Sequence, residues 1–322
     1  MNLYPLIKLL SSGQFQTGTQ LGEQLGISRT AVWKQVQQLS KLGLDVITKK
    51  NDGYCLSDSL SILNTDLIQE YLLNNKSKLE FSFIPVIDST NLELSRRIAN
   101  QSLSASSLLI AEKQTSGRGR HGKSWQSPYA SSISMSISYQ MAGGANVLQG
   151  LSLAVGVVLA QVLTSHGING VKLKWPNDLY LNNAKLGGIL IDLSGDLAGP
   201  CNVIVGVGIN IFKPSLPIEV DQPVAYLSDQ TSAIERSVLV ADIAIALEKL
   251  LLNYAIEGFK PWQDHWNKAH LWTGKKASII TPLKTTEVVL GGVNNLGELE
   301  VTYKDGSKGA INSGEVSVRA KE

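Results

Sequence analysis

Between a short apolar run and a serine-rich stretch, the chain reads Gln114-Thr115-Ser116-Gly117-Arg118-Gly119-Arg120-His121-Gly122-Lys123-Ser124-Trp125. Three glycines alternate with basic side chains, so the backbone can bend closely around an anion. Arg118 and Arg120 would supply paired donors, and Trp125 a flat ring to lie against a ligand. Basic glycine loops also occur as nucleic-acid contacts, and the loop alone does not choose. It is not a Walker loop, and no Gly-x-Gly-x-x-Gly follows a strand in a Rossmann setting. Three further groups carry possible chemistry. Lys185 precedes Gly187-Gly188, where the backbone can approach a ligand; it is either an electrostatic catalyst or a surface lysine at a hairpin. Asp178 follows Pro176-Asn177 at a strand end, fit to bind a metal, receive a proton or cap the turn. Ser89-Thr90-Asn91 enters a helix and either caps it or holds a polar ligand group. No Ser-His-acid arrangement is present, and His121, His166, His265 and His270 show no zinc spacing. The set fits an activating enzyme, one that joins a carboxylate to the α-phosphate of ATP and passes the acyl group to an amine.

These residues need a rigid frame. Leu108–Glu112, Ser132–Tyr139, Val171–Trp175, Ile189–Leu193 and Val203–Asn210 read as strands. In Ser132–Tyr139, serines alternate with Ile133, Met135, Ile137 and Tyr139, so one face packs and the other is small enough for a flat ligand. Val147–Leu163 reads as a buried helix, too short and too polar to span a bilayer. Val238–Tyr254 is a long helix, and Leu60–Leu73 an amphipathic one that links the N-terminal segment to the strands. After Gly274, short strands from Ala277 to Val318, the last beginning at Glu315, predict a small β-barrel. It covers the site, docks a partner or only supports the fold.

The first sixty residues differ. The chain has 322 residues and a formal charge of +2, and residues 61–322 balance at 23 basic against 23 acidic groups. Residues 20–50 hold Arg29, Lys34, Lys41, Lys49 and Lys50 against Glu23 and Asp45, so a polyanion would be met here. Helical spacing over Leu3–Leu10, Leu21–Leu25 and Val32–Leu39, a turn at Gly26 and a cap at Ser28 give helix, turn, helix; a hairpin around Asn51-Asp52-Gly53 supplies a wing. Ser28, Arg29, Thr30, Trp33, Lys34 and Gln37 face outward, with Lys49 and Lys50 at the wing tip, as DNA contacts or as a solvated polar face. Two distant cysteines, Cys55 and Cys201, and no signal peptide predict a cytoplasmic protein.

Five ordered motifs, Asp88-Ser89-Thr90-Asn91, the Gly117–Gly122 loop ahead of Trp125, Lys174-Trp175-Pro176-Asn177-Asp178, Lys185-Leu186-Gly187-Gly188-Ile189-Leu190 and Gly208-Ile209-Asn210, resemble the bifunctional biotin protein ligases that also repress biotin synthesis genes. Lipoate ligases share the catalytic fold but would lack this loop joined to a DNA-binding head. The resemblance implies an α+β chain in three parts. Residues 1–62 would form a winged helix-turn-helix. Residues 63–270 would form a class II synthetase-like, biotin ligase-like domain with a central mixed β-sheet and flanking helices. Residues 271–322 would form an SH3-like barrel.

By resemblance, Ser89, Thr90, Asn91 and Gln114 would hold the biotin head, with Gly187 and Gly188 lining the pocket. Arg118, Gly119 and Arg120 would clamp the phosphates of ATP and then biotinyl-5'-AMP. Lys185 would stabilise charge at the α-phosphorus, Mg2+ would neutralise pyrophosphate with Asp178 as its candidate ligand, and Asp178 would orient or deprotonate the incoming lysine amine. Trp125 would close the loop and Asn210 complete the nucleotide side. The family's best-known member has arginine where this chain has His121. Expected partners are a biotin carboxyl carrier protein and, as a homodimer loaded with biotinyl-5'-AMP as corepressor, operator DNA; no membrane is involved. A catalytic-only ligase with a vestigial head, or a ligand-sensing repressor without chemistry, are the alternatives.

Overall fold

The structure is a computed structural model that describes residues 2–103, 106–141, 144, 148–195, 200–214, 222–231, 233–281, 284–313 and 317–320. The N-terminal head contains α1 (Tyr4–Leu10), α2 (Gly18–Leu25), α3 (Arg29–Leu39) and a hairpin of β1 (Val46–Lys49) with β2 (Gly53–Leu56). Its boundaries follow from capping chemistry. Thr17 and Gln20 form a reciprocal capping box at the start of α2, and Gly26, left-handed at φ +66°, ends it. The Ser28 hydroxyl accepts from the Ala31 N–H at 3.2 Å and starts α3. Leu6, Leu10, Leu21, Val32, Val36 and Leu39 close the head's core, as the helical spacing predicts.

The linker departs from expectation. The helix expected from Leu60 begins at Thr65 and is α4 (Thr65–Asn74), because the Asn64 side chain accepts from the Leu67 N–H and caps it there. The extended segment before it is clamped by a buried ion pair. Glu112 and Arg236 are both 0% exposed, and Arg236 Nη2 lies 2.9 Å from Glu112 Oε2. Glu112 Oε1 accepts from the Leu63 N–H at 2.6 Å, while Arg236 donates to the carbonyls of Ser61 and Ser132. Tyr129 and Ala130 pack into the head's core, and Lys113 Nζ donates to the Leu42 carbonyl at 3.1 Å. The head is therefore seated on the residues that flank the arginine loop, and the linker is more than a spacer.

Beyond it come β3 (Glu80–Phe83), β4 (Val86–Ile87), α5 (Thr90–Ala99), β5 (Ser106–Ala111), β6 (Lys113–Gln114), β7 (Ser132–Met141), α6 (Leu151–Ser165), β8 (Lys172–Lys174), β9 (Asp178–Leu181), β10 (Ala184–Gly195), β11 (Cys201–Asn210), α7 (Arg236–Glu257) and α8 (Gln263–Ala269). Seven strands form one mixed sheet in the order β3-β5-β7-β11-β10-β9-β8, parallel only between β3 and β5. Helix α6 starts after Gly150, which is left-handed at φ +76°; Val147, its expected start, lies outside the described residues. Ile133, Ile137, Val203, Val205 and Ile209 turn to the core shared with α6 and α7, whereas Leu109 and Ile204 meet Leu94 of α5 on the other face. That period of two fixes which residues can reach a ligand.

The C-terminal segment forms β12 (Lys276–Ile280), β13 (Thr285–Val293), β14 (Leu299–Tyr303), β15 (Lys308–Ile311) and β16 (Ser317–Ala320), an antiparallel sheet in the open order β15-β14-β13-β12-β16. Glu315, the expected start of its last strand, lies outside the described residues. Among the described residues no helix is long and apolar enough to cross a membrane.

Candidate active site

A row of cross-strand partners runs over the α5 face of the large sheet. Ala111 pairs with Ser134, Ser134 with Gly208, Gly208 with Gly188, Gly188 with Asp178, and Asp178 with Lys174. Gly208 and Gly188 at its centre make a bare floor, and Gly208 and its neighbour Gly206 are required by what rests on it. A β-carbon at position 208 would lie 2.5 Å from the Trp125 indole, and one at 206 would lie 2.2 Å from the Asn91 side chain. The alternation in β7 predicts that its serine face leaves this room. It does not: Ser132, Ser134, Ser136 and Ser138 are at most 2% exposed, covered by α5 and by Ser127. The glycines of β10 and β11 provide the smooth surface instead.

Above the floor lies a cavity of 1510 Å³, and every predicted catalytic or ligand residue lines it except Gly187. Gly187 instead sits where β10 bulges against β9, and a β-carbon there would lie 2.6 Å from the Gly208 carbonyl. At one end Lys185 Nζ meets Asp178 Oδ1 at 2.7 Å, with both side chains largely but not fully covered. The Asn210 amide donates to the Lys185 carbonyl at 3.4 Å and steadies that backbone. Lys174, on β8, belongs to one of the five motifs but carries no role in the sequence reading. Its ammonium lies 4.6 Å from the Trp272 ring and 3.2 Å from the Tyr180 hydroxyl, and burial pulls its pKa down despite Asp178 nearby.

At the other end the Ser-Thr-Asn motif is built into a hydrogen-bond network. Ser89 caps α5 through the Leu92 N–H. Thr90 gives its N–H and hydroxyl to Gln114 Oε1 at 2.8 and 3.1 Å and lies 2.6 Å from the Ser136 hydroxyl. The Asn91 amide is spent on Ser136, Leu190 and Asp192, so this side chain orients its neighbours more than it offers groups to a ligand. Asp88, which precedes the cap, forms a bidentate pair with Arg96, which holds its carboxyl down at about 2.

The arginine loop is a tight hairpin: the Trp125 N–H donates to the Gly117 carbonyl at 2.8 Å and the Gly119 N–H to the Lys123 carbonyl at 2.7 Å. His121 turns it in the left-handed region at φ 55°, followed by Gly122 at φ 72°. Arg118 reaches Asp192 at 3.7 Å. Arg120 donates to the Ser313 carbonyl of the C-terminal segment, and burial lowers its pKa against the pull of Asp178. Arg319 of β16 also lines the cavity, as do Lys123 and Gln222. Nothing in the local pattern of residues 317–320 signals that role for Arg319; only the fold brings it there. The Trp125 indole N–H is buried with no partner among the described residues. As for a metal, no group of three or more His, Cys, Asp or Glu gathers among the described residues, and Asp178 is engaged by Lys185. That donor set suits a hard cation carried by phosphates, with at most one protein carboxylate, over a protein cage.

On the head, Ser28, Arg29, Thr30, Trp33, Lys34, Gln37, Lys49 and Lys50 are all exposed, Trp33 at 51%. Lys49 Nζ sits 4.4 Å over the Phe15 ring. The apolar side of α3 is turned inward, so its outer side is free for a groove.

Comparison with known proteins agrees with both halves. Residues 83–210 match the Biotin/lipoate A/B protein ligase family and residues 3–55 an HTH domain. The bifunctional ligase/repressor BirA of Salmonella typhimurium (strain LT2) is 34% identical over 318 residues, covering 98% of this chain and 97% of that protein; the one from Escherichia coli (strain K12) matches to the same extent. Among solved structures, a biotin protein ligase from Aquifex aeolicus in complex with biotin and ATP superposes with a TM-score of 0.63 at 26% identity, over 75% of this chain and 99% of that one. With similarity sustained through head, sheet and C-terminal strands, the chain belongs to the family of bifunctional ligase/repressors.

Proposed function

We propose that the protein is an ATP-dependent biotin protein ligase and a DNA-binding repressor of biotin synthesis genes. The observation that carries the ligase reading is the cavity itself, where Arg118, Arg120 and Lys185 converge over the glycine floor beside Asp178. Biotin lies along the floor near Ser89, Thr90 and Gln114, steadied by Asn91 and by the Gly187-Gly188 backbone. Its carboxylate oxygen attacks the α-phosphorus of ATP, the bond to the β-phosphate breaks, and pyrophosphate leaves. Arg118, Arg120 and the amides around Gly119 hold the phosphates. Lys185 stabilises the charge that grows on the α-phosphoryl oxygens. Magnesium, when bound, would neutralise the departing pyrophosphate, with Asp178, the one carboxylate that lines the cavity among the described residues, as its candidate ligand. Trp125 closes over the biotinyl-5'-AMP and Asn210 supports the nucleotide side.

In the second step a lysine of a biotin carboxyl carrier protein attacks the acyl carbon, the bond to AMP breaks, and the amine proton passes to Asp178, which orients the nucleophile. When acceptor is scarce, the adenylate-loaded chain pairs as a homodimer and binds operator DNA through Ser28, Arg29, Thr30, Trp33, Lys34, Gln37, Lys49 and Lys50. Their common exposure supports this. We place the work in the cytoplasm and divide the chain at 62/63 and 270/271; Ile62 packs with the head and Leu63 with the large core, in keeping with the first boundary. The C-terminal sheet is read as an SH3-like barrel, its long strand β13 bent by the Gly291-Gly292 irregularity.

The test is biotin-dependent exchange of pyrophosphate into ATP. Exchange is expected, and its absence with biotin present refutes the ligase reading. Gel retardation of the biotin-operon control region should then require biotin and ATP together; no shift leaves a catalytic-only ligase, and a shift that ignores them removes the corepressor role of biotinyl-5'-AMP.

A further inference from the structure

Asp178 and Asp192 are carboxylates on the ligand side of the sheet, and only Asp178 has a part in the proposed reaction. Asp192 lies four residues past Gly188 on β10, on the same face and roughly 13 Å away at about 3.3 Å per residue. It does not line the cavity, so it can act only through others. Its Oδ2 accepts from Asn91 Nδ2 at 2.9 Å and stands 3.7 Å from the Arg118 guanidinium. The two contacts differ in kind. The Asn91 bond is well within hydrogen-bond length, and Asn91 is 4% exposed, fixed on its other side by Ser136. The Arg118 contact is too long for a hydrogen bond and its side chain is 46% exposed, so the attraction restrains the guanidinium without consuming its donors. Restraint is needed there. Arg120, Lys123, Lys174, Lys185 and Arg319 line the same cavity and repel a sixth cation.

We propose that Asp192 is a positioning residue for the adenylate: it keeps Arg118 at the cavity by charge, with its donors free for the ligand, and fixes the Asn91 amide that braces Ser136 and Thr90. The inference rests on the ligase reading. Without that charge Arg118 spends more time in solvent, and the intermediate escapes sooner.

The experiment uses the full chain and measures release of radiolabelled biotinyl-5'-AMP together with pyrophosphate exchange. Asp192→Asn keeps an acceptor for Asn91 and removes only the charge. Release is expected to quicken about three- to fivefold, the scale of a partly exposed ion pair, with the maximal exchange rate unchanged. Added salt should narrow the gap, and Asp192→Glu should restore slow release. In a double-mutant cycle, Arg118→Ala with Asp192→Asn should release no faster than Arg118→Ala alone. Wild-type release from Asp192→Asn, or effects of the two substitutions that multiply, would overturn the proposal and leave the ligase reading standing. Failure of the wild type to form any adenylate overturns both.

Discussion

The Glu112–Arg236 pair at the junction and the Lys185–Asp178 pair in the cavity have the same charges and nearly the same separation, 2.9 and 2.7 Å, yet they are embedded in opposite ways. At the junction both side chains are sealed from water, and the carboxylate and guanidinium also hold the backbone of Ser61, Leu63 and Ser132. In the cavity the side chains remain 19% and 15% exposed, and among the described residues no equivalent set of backbone partners holds them. A sealed charge pair whose carboxylate oxygens and terminal guanidinium nitrogens are all spent, with only Arg236 Nε left without a partner among the described residues, is a fastener. One with valences left over can trade its partner for a phosphate or an amine, because water or ligand can take up the separated charges.

Breaking the fastener gives the largest expected effect. Arg236→Met strands a buried carboxylate and should cost about 3–5 kcal/mol of unfolding free energy, read from urea denaturation; a loss below about 1 kcal/mol would place the two pairs in one class. Lys185→Gln should do the reverse, leaving the urea midpoint near wild type while pyrophosphate exchange drops about 10²–10³-fold. A buried base held neutral sharpens the contrast. Burial among Trp266 and its neighbours drives His270 down to about 4, so between pH 6.5 and 4 the unfolded chain binds the extra proton. Stability from this group should therefore fall as pH falls through that window, by about 3 kcal/mol in all, and level off below it; His270→Gln should flatten the urea midpoint against pH, and an unchanged slope would show that another group sets it. On the exposed head the effects are smallest. Lys34→Ala or Lys49→Ala should weaken operator binding evenly across sequences and lower the salt slope by about 1 each, checked by gel retardation at several salt concentrations.

Legibility in the sequence tracks the range of the forces involved. The cap at Ser28, the Gly26 turn and the period of two in β7 are local, and they appear where the residues predict them. The large sheet and its loop motifs are legible for the same reason. What cannot be read is how distant segments act on one another. The serines of β7 have the pattern of an open face, but α5 covers them, and no local pattern announces that. Asp192 and Glu112 owe their roles to Asn91 and Arg236, 101 and 124 positions away, and Arg319 reaches the cavity only through the fold. Asn91 is legible as part of a site motif, while the direction of its amide depends on Gly206 lacking a side chain.

The cross-strand row from Ala111 to Lys174 has one more consequence. Its spacing is set by backbone pairing, so a slip of a single residue in β10 or β11 would turn Gly188 or Gly208 into the core and raise an isoleucine or valine onto the floor. A chain folded in the wrong register would have no bed for a ligand at all. Catalytic competence is thus a built-in audit of strand alignment, and active-site titration of a preparation would count the correctly registered molecules.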